Sequence, residues 1–431
     1  MRIIIFFFSI IITLFLIFNS NFFSIKDKVY GKFPSLANII NQNKYYYFQK
    51  GRVLKNIQND YNVNFLPDTQ FESLNLKKIN LTSNFKTPKN FGKKFSSFSI
   101  DFFNQTLFIS TSKGYFYHID FKKLYSKKNE DKIILNSIKS NFFKDEIERN
   151  YTVFDTVIIE EKIYVYYLKN KKNCKTVNID VAELNLEYFD FKSFFNSEEC
   201  QNNEIQIGKI NSYTHNGIKG LLFTVNNVFR DQPENYLSQN INSIFGKTIF
   251  IDIQNKNKKI FSYGHRAPQG LFTEGNLILS TEHGPKGGDE INKIEFNKNY
   301  GWPIASYGDY YIKVDNTNSN TYSKKPYYSK SHEVSGSEEP IYSFVPSIGI
   351  SEIIRLPNEF SPHFQNNFLV GSLNGKSLYR VKFNTNFDKL IFVEKIYIGN
   401  RIRDIKYNLE KNIIVMALEY NEQIALIDNL D

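Results

Sequence analysis

The densest run of chemically capable residues is Tyr263–Tyr307, YGHRAPQGLFTEGNLILSTEHGPKGGDEINKIEFNKNYGWPIASY. Two polar loops stand out in it. Gly264-His265-Arg266-Ala267-Pro268-Gln269 offers an imidazole, a guanidinium and a carboxamide in close succession. Glu282-His283-Gly284-Pro285-Lys286-Gly287-Gly288-Asp289-Glu290 surrounds a Gly/Pro-rich backbone with acids. Glycine and proline fix that backbone, so main-chain carbonyls can be turned toward a hard cation such as calcium, which takes oxygen ligands. A charged glycine-rich loop with no ligand has the same composition, and both readings stand at this point. Other chemistries lack their residues. His332-Glu333 has no second histidine at helical spacing for a zinc site. No phosphate-cradling Gly-Lys-Ser loop, dinucleotide glycine fingerprint or Gly-x-Ser-x-Gly elbow occurs. His118, His215 and His363 read as structural or surface residues.

The elements that must position these loops are short and β-rich. β-Branched and aromatic runs come in pairs joined by Gly- or Asn-containing turns. Six such hairpins begin near Leu107, Lys162, Leu221, Leu277, Phe368 and Ile413, each preceded by another β-like piece such as Ser99-Ile-Asp-Phe or Ile405-Lys-Tyr. Multi-stranded repeats at this spacing predict an all-β fold, a six-bladed β-propeller over 91–431. A Tyr-, Ser- and Asn-rich segment at about 308–343 interrupts the spacing and reads as an insertion, a lid or binding loop. Residues 26–90 are weakly patterned and are expected to lead into the ring or close it. Propeller loops converge on one central funnel, so residues far apart in sequence can share a site.

Composition and the N-terminus bound the setting. The 431 residues are 41% hydrophobic and 16% aromatic, which excludes a disordered chain. Met1-Arg2 and the apolar run Ile3–Phe18 mark residues 1–25 as a signal peptide or an uncleaved signal anchor, placing the body of the protein in the periplasm or otherwise outside the cytoplasm. In that setting the even cysteine count predicts a Cys174–Cys200 disulfide; free thiols are the alternative. The net charge of +10 includes one short basic knot, Lys169–Lys175, and otherwise reads as solvated lysine rather than a nucleic-acid surface.

At Tyr263–Tyr307 the chain resembles the glucose/sorbosone dehydrogenase family, the soluble PQQ-dependent aldose sugar dehydrogenases. GHR-x-PQGL, TEHGP-x-GGDEIN and NYGWP carry the match, which extends more weakly from about Leu221 to the C-terminus, through Arg401-Ile-Arg-Asp. The resemblance implies a six-bladed propeller holding the tricarboxylate quinone PQQ and an activating calcium. It implies cofactor contacts from Arg266, Gln269, Arg401 and Arg403, and calcium bound by the carbonyls of Gly284 and Pro285. A sugar or alcohol substrate and an electron acceptor follow as partners. Guanidinium forks suit carboxylates, and calcium acts on a quinone as a Lewis acid.

Three departures accompany the match. Ala267 stands where the family usually has Asn, and Asn374 where sugar-oxidising members have a lysine. The family's general-base histidine falls at Ile205, before Gln206-Ile207-Gly208-Lys209-Ile210, and an isoleucine cannot accept a proton. His215 is the nearest substitute. Catalytic residues therefore stay unassigned, and two other readings are kept: a propeller that lost its chemistry and binds a sugar, anion or protein, and a calcium-dependent hydrolase.

Overall fold

A computed structural model describes residues 74–82, 97–143, 151–172, 174–201, 207–228, 236–309, 328–361 and 364–429, with the backbone of 64–65, 89–90 and 93–94. The expected export segment 1–25, the base position Ile205, His363 and residues 310–327 of the expected insertion lie outside them. Among the described residues no helix is long and apolar enough to cross a membrane.

The strands form six sheets of four or five strands, a six-bladed β-propeller as expected. Blade one contains Phe98–Phe103, Thr106–Thr111, Phe116–Asp120 and Asn136–Ser140. Blade two contains Tyr151–Ile159, Lys162–Lys171, Cys174–Glu183 and Lys192–Asn196. Blade three contains Ile207–His215, Ile218–Val225, Lys247–Asp252 and Lys258–Tyr263. Blade four is Pro268–Glu274, Leu277–Glu282, Asp289–Lys293 and Tyr342–Phe344. Its last strand falls inside the stretch read as an insertion, so that stretch returns to the ring before its end. Blade five is Ile350–Arg355, Asn367–Ser372, Ser377–Phe383 and Leu390–Tyr397.

Blade six takes three strands from the C-terminus, Arg401–Asn408, Ile413–Glu419 and Gln423–Asn429. Its outer strand is Leu74–Leu81, which pairs antiparallel with Gln423–Asn429 and closes the ring. Each blade's first strand packs against the first strands of both neighbours, so these six line the axis.

The core lies between blades, because each sheet has two faces to bury. Phe108 and Phe116 of blade one meet Val165 and Tyr167 of blade two in one such layer, together with Phe189 and Phe191 from the connection between blade two's last two strands. Leu222, Phe250 and Phe261 of blade three meet Leu271 and Ile278 of blade four in another. Each such side chain, fully buried, contributes roughly 1.5–3 kcal/mol. Cys174 and Cys200 are joined by a disulfide, with Cα atoms 5.6 Å apart. It ties the start of blade two's third strand to the chain leaving that blade.

Candidate functional site

Strand direction alternates within a blade. The loops that enter each first strand and the loops joining second to third strands therefore emerge on the same face. Gly264–Ala267 belongs to the first kind and His283–Gly288 to the second, while Arg401 and Arg403 open blade six on that face.

Local backbone irregularity aims two of these side chains. Blade four's first two strands pair Pro268 with Glu282 and Gly270 with Thr281, which leaves Gln269 as the extra residue of a bulge. Blade six pairs Ile402 with Leu418 and Asp404 with Ala417, which leaves Arg403 extra in the same way. A bulge re-aims a side chain. Here the two extra residues meet, with Arg403 Nη1 donating to Gln269 Oε1 at 3.2 Å.

Glu419, fully buried, holds the arginine pair. Arg403 Nη2 donates to its Oε1 at 2.7 Å and Arg401 Nε to its Oε2 at 2.8 Å. Burial alone would raise the Glu419 pKa; the guanidinium groups of Arg403 and Arg401 outweigh it and hold the carboxyl below its ordinary value. Arg403 Nε is buried with no hydrogen-bond partner among the described residues.

Arg266 approaches from blade four. Its Nη1 donates to the His283 carbonyl at 2.7 Å, and its guanidinium lies over the Trp302 ring at 5.2 Å. Its main-chain N–H donates to Glu282 Oε2 at 2.6 Å, and Glu282 Oε1 lies 2.9 Å from His265 Nδ1. His265 is thus a buried support for the arginine loop, stacked on Tyr300 with ring centroids 4.7 Å apart.

His283 joins the two halves of the site. Burial lowers its pKa, Asp289 opposes that, and Arg403 and Arg266 press it further down, which favours the neutral imidazole. Nε2 is buried with no hydrogen-bond partner among the described residues. Nothing in its loop sequence gives this residue a role. Its flanking arginines come from blades four and six, so only the ring closure reveals its place.

The loop of Gly284 and Pro285 is held by Asp289, whose carboxylate accepts Gly284 N–H at 3.2 Å and the N–H groups of Ile348 and Ile350 at 3.0 Å. Gly288 has φ +69°, and a Cβ there would stand 2.3 Å from Gly308 N, so glycine is required. No donor among the described residues bonds the Gly284 carbonyl. A main-chain carbonyl in that state suits a hard cation. The described residues contain no cluster of three or more His, Cys, Asp or Glu that could hold a metal, so any ion here depends on such carbonyls and on the ligand itself.

Arg401 and Arg403 on one carboxylate, Gln269 against Arg403, and Arg266 on the far side of His283, with Arg403 Nε unsatisfied, fit a multiply anionic planar cofactor. Ala267 is buried and apolar, and Asn374 spends its main-chain N–H on the Ile348 carbonyl at 3.0 Å.

His215 is not part of this site. A Cβ on Gly208 would meet the Pro268 carbonyl at 2.5 Å, so that end of the 207–215 strand touches the Arg266 loop. His215 ends the same strand seven residues later, roughly 23 Å away at about 3.3 Å per residue, packed against Phe250, Phe261 and Phe296. It is a structural histidine. His332 does reach the site's flank, where it lines a small cavity with Arg266, Glu282, His283, Glu290 and Trp302. Its Nε2 lies 3.4 Å from Glu290 Oε1.

Beneath the funnel, the first strands enclose an ionic cluster that the sequence reading missed. Lys209 Nζ lies 3.1 Å from Asp155, 2.8 Å from Glu352 and 2.8 Å from Asp404, all buried. Acidic residues at the blade period, Asp101, Asp155, Glu352 and Asp404, were its available signal.

Comparisons with known proteins bear on the family and the fold. The family model "Glucose / Sorbosone dehydrogenase" matches residues 154–426. Aldose sugar dehydrogenase YliI of Escherichia coli K12 is 29% identical over 184 residues, 41% of this chain and 46% of that protein. Quinoprotein glucose dehydrogenase B of Acinetobacter calcoaceticus is 52% identical over 52 residues, 12% of this chain and 11% of that protein. These alignments thus span less than half the length of those relatives. The crystal structure of the soluble aldose sugar dehydrogenase from Escherichia coli, in the apo-form, superposes with a TM-score of 0.61 at 20% identity, covering 82% of this chain and 99% of that one. The PQQ-bound aldose sugar dehydrogenase of Streptomyces coelicolor superposes at 0.54 and 13% identity, over 84% and 99%. At such identities the structures speak for the fold alone. With the family model matched over more than half its length, and with the propeller and the motif loops in place, the chain belongs to the glucose/sorbosone dehydrogenase family.

Proposed function

We propose that this protein is a PQQ- and calcium-dependent oxidoreductase that oxidises an aldose sugar or a related alcohol in the periplasm. The observation that carries the reading is the convergence of Arg266 and Arg403 on His283, with Gln269 bonded to Arg403 and Arg401 tied to it through Glu419. Arg401 and Arg403, pre-set by Glu419, would bind one edge of PQQ through its carboxylates. Arg266 would take another carboxylate from across the funnel. The carbonyls of Gly284 and Pro285 would hold the calcium ion. PQQ, when bound, supplies the two-electron quinone acceptor, and calcium supplies the Lewis acid beside it.

The chain's own part is to orient the cofactor, exclude water and keep positive charge fixed around it. Residues 1–25 would direct export or anchor the protein at the membrane, 26–90 would lead into the ring and close it through Leu74–Leu81, and 91–431 would supply the rest of the propeller. An external electron acceptor would complete the cycle.

A second reading is favoured by Ala267, Asn374 and the isoleucine at position 205: a propeller that binds a sugar, anion or protein partner without chemistry. One experiment separates the two. Purified protein is incubated with PQQ and calcium, then assayed for dye reduction with a panel of aldoses and alcohols. Sugar-dependent reduction supports the dehydrogenase. PQQ binding with no reduction by any substrate supports the binding module, and absence of PQQ binding removes the dehydrogenase reading.

A further inference from the structure

Arg266 is oriented by more than its hydrogen bonds. Its guanidinium lies over the indole of Trp302 at 5.2 Å, and both side chains are buried, at 7% and 4% exposure. Trp302 is itself fixed on several sides. Its carbonyl accepts Ser238 Oγ and Gln239 Nε2, both at 2.7 Å, and its N–H donates to the Gly264 carbonyl at 2.9 Å. Tyr328 packs on the ring with centroids 5.3 Å apart.

The donors Ser238 and Gln239 come from blade three, and that segment is pinned in turn. Lys247 Nζ, buried, donates to the carbonyls of Leu237, Ser238 and Phe245 at 2.6, 2.9 and 2.8 Å. So much restraint on a tryptophan that presents its face to a cofactor-type arginine exceeds what filling space requires.

We infer that Trp302 is a positioning residue, whose indole holds the Arg266 guanidinium in the plane that receives a carboxylate of the bound cofactor. The inference rests on the PQQ reading above and goes beyond the arginine contacts themselves. A guanidinium is weakly hydrated and planar, so it can lie flat on an aromatic face while its edge still donates hydrogen bonds. With the plane set by Trp302 and one edge nitrogen held by the His283 carbonyl, few orientations remain. The ordering cost of capturing a carboxylate is then met before the ligand arrives.

The test uses the full-length protein with PQQ and calcium, the variants Trp302→Leu, Trp302→Phe, Arg266→Ala and the double variant Trp302→Leu/Arg266→Ala, and equilibrium dialysis of PQQ. Trp302→Leu is expected to weaken binding roughly 3- to 30-fold, the span of a desolvated cation–π contact. Trp302→Phe keeps an aromatic face and should stay within about 3-fold of the parent. In the Arg266→Ala background Trp302→Leu should have no further effect, an outcome that a general packing role would not produce.

A second readout needs no cofactor. Trp302 is the only tryptophan, so intrinsic emission reports on it alone, and Arg266→Ala should shift that emission in the apo protein. Emission unchanged by Arg266→Ala overturns the inference, even if the leucine variant fails to fold. So does a Trp302→Leu protein that binds PQQ like the parent, or a loss from Trp302→Leu that persists in full without Arg266. If the parent protein does not bind PQQ, the functional reading fails instead, and the emission arm still decides whether Trp302 and Arg266 are coupled.

Discussion

Glu419 is the residue that joins two arginines into one cationic edge. Without its carboxylate, Arg401 and Arg403 would repel each other and drift apart; with it, each presents its remaining donors in a fixed direction. Arg403→Ala removes a guanidinium and strands both Gln269 Oε1 and half of Glu419. PQQ affinity should fall about 10- to 100-fold in that variant, the worth of one charge-assisted contact, as read by equilibrium binding at constant ionic strength. At this scale the sequence was informative. The resemblance to the family singled out Arg266, Gln269, Arg401 and Arg403, and the structure brings all four to one face of the ring. His283 stayed hidden because its role depends on an arginine more than a hundred positions away in the chain.

At the scale of elements, bulges and a buried lysine do the aiming. The six hairpins were legible because alternating apolar residues and Gly/Asn turns are local signals. Bulges were not, since a one-residue register slip leaves composition unchanged and shows only when strands pair. The segment 236–246 was equally unreadable: its anchor is Lys247, a charged residue in a strand whose burial no local pattern announces. Burial brings the Lys247 pKa down to about 7, while three carbonyl acceptors require the three hydrogens of an ammonium. Lys247→Met would strand the Phe245 carbonyl, at about 1–3 kcal/mol if no water replaces the ammonium, while the Leu237 and Ser238 carbonyls keep the Asn240 and Gly264 N–H groups. We expect a lower denaturation midpoint and a red-shifted Trp302 emission in Lys247→Met, with the emission change preceding global unfolding in a urea titration.

For the whole molecule, ring closure and the axial ion cluster determine whether the funnel exists at all. The sequence left residues 26–90 either leading into the ring or closing it, and the strand Leu74–Leu81 closes it. Inside the ring, burial pushes the Glu352 carboxyl up to about 7, against Lys209, which pulls it down. Between the ordinary carboxylate value and about 7 the native protein therefore holds a proton that the unfolded chain has released. Through this group, stability is fully present below that ordinary value and is lost as pH rises through about 7. Glu352→Gln mimics the protonated form, so its stability relative to the parent should improve by about 1–3 kcal/mol between pH 5 and pH 8 in urea unfolding. A difference that stays flat with pH would show that Glu352 does not carry this linkage. The central claim, that the converging arginines and the Gly284-Pro285 loop form a working quinone site, is tested most directly by a single-turnover experiment. The protein is loaded with PQQ and calcium, freed of excess cofactor, and followed by absorbance as an aldose is added without any dye. Stoichiometric binding followed by sugar-dependent conversion of the bound quinone to its reduced form is the expected result; protein that retains no PQQ after the excess is removed would overturn the claim.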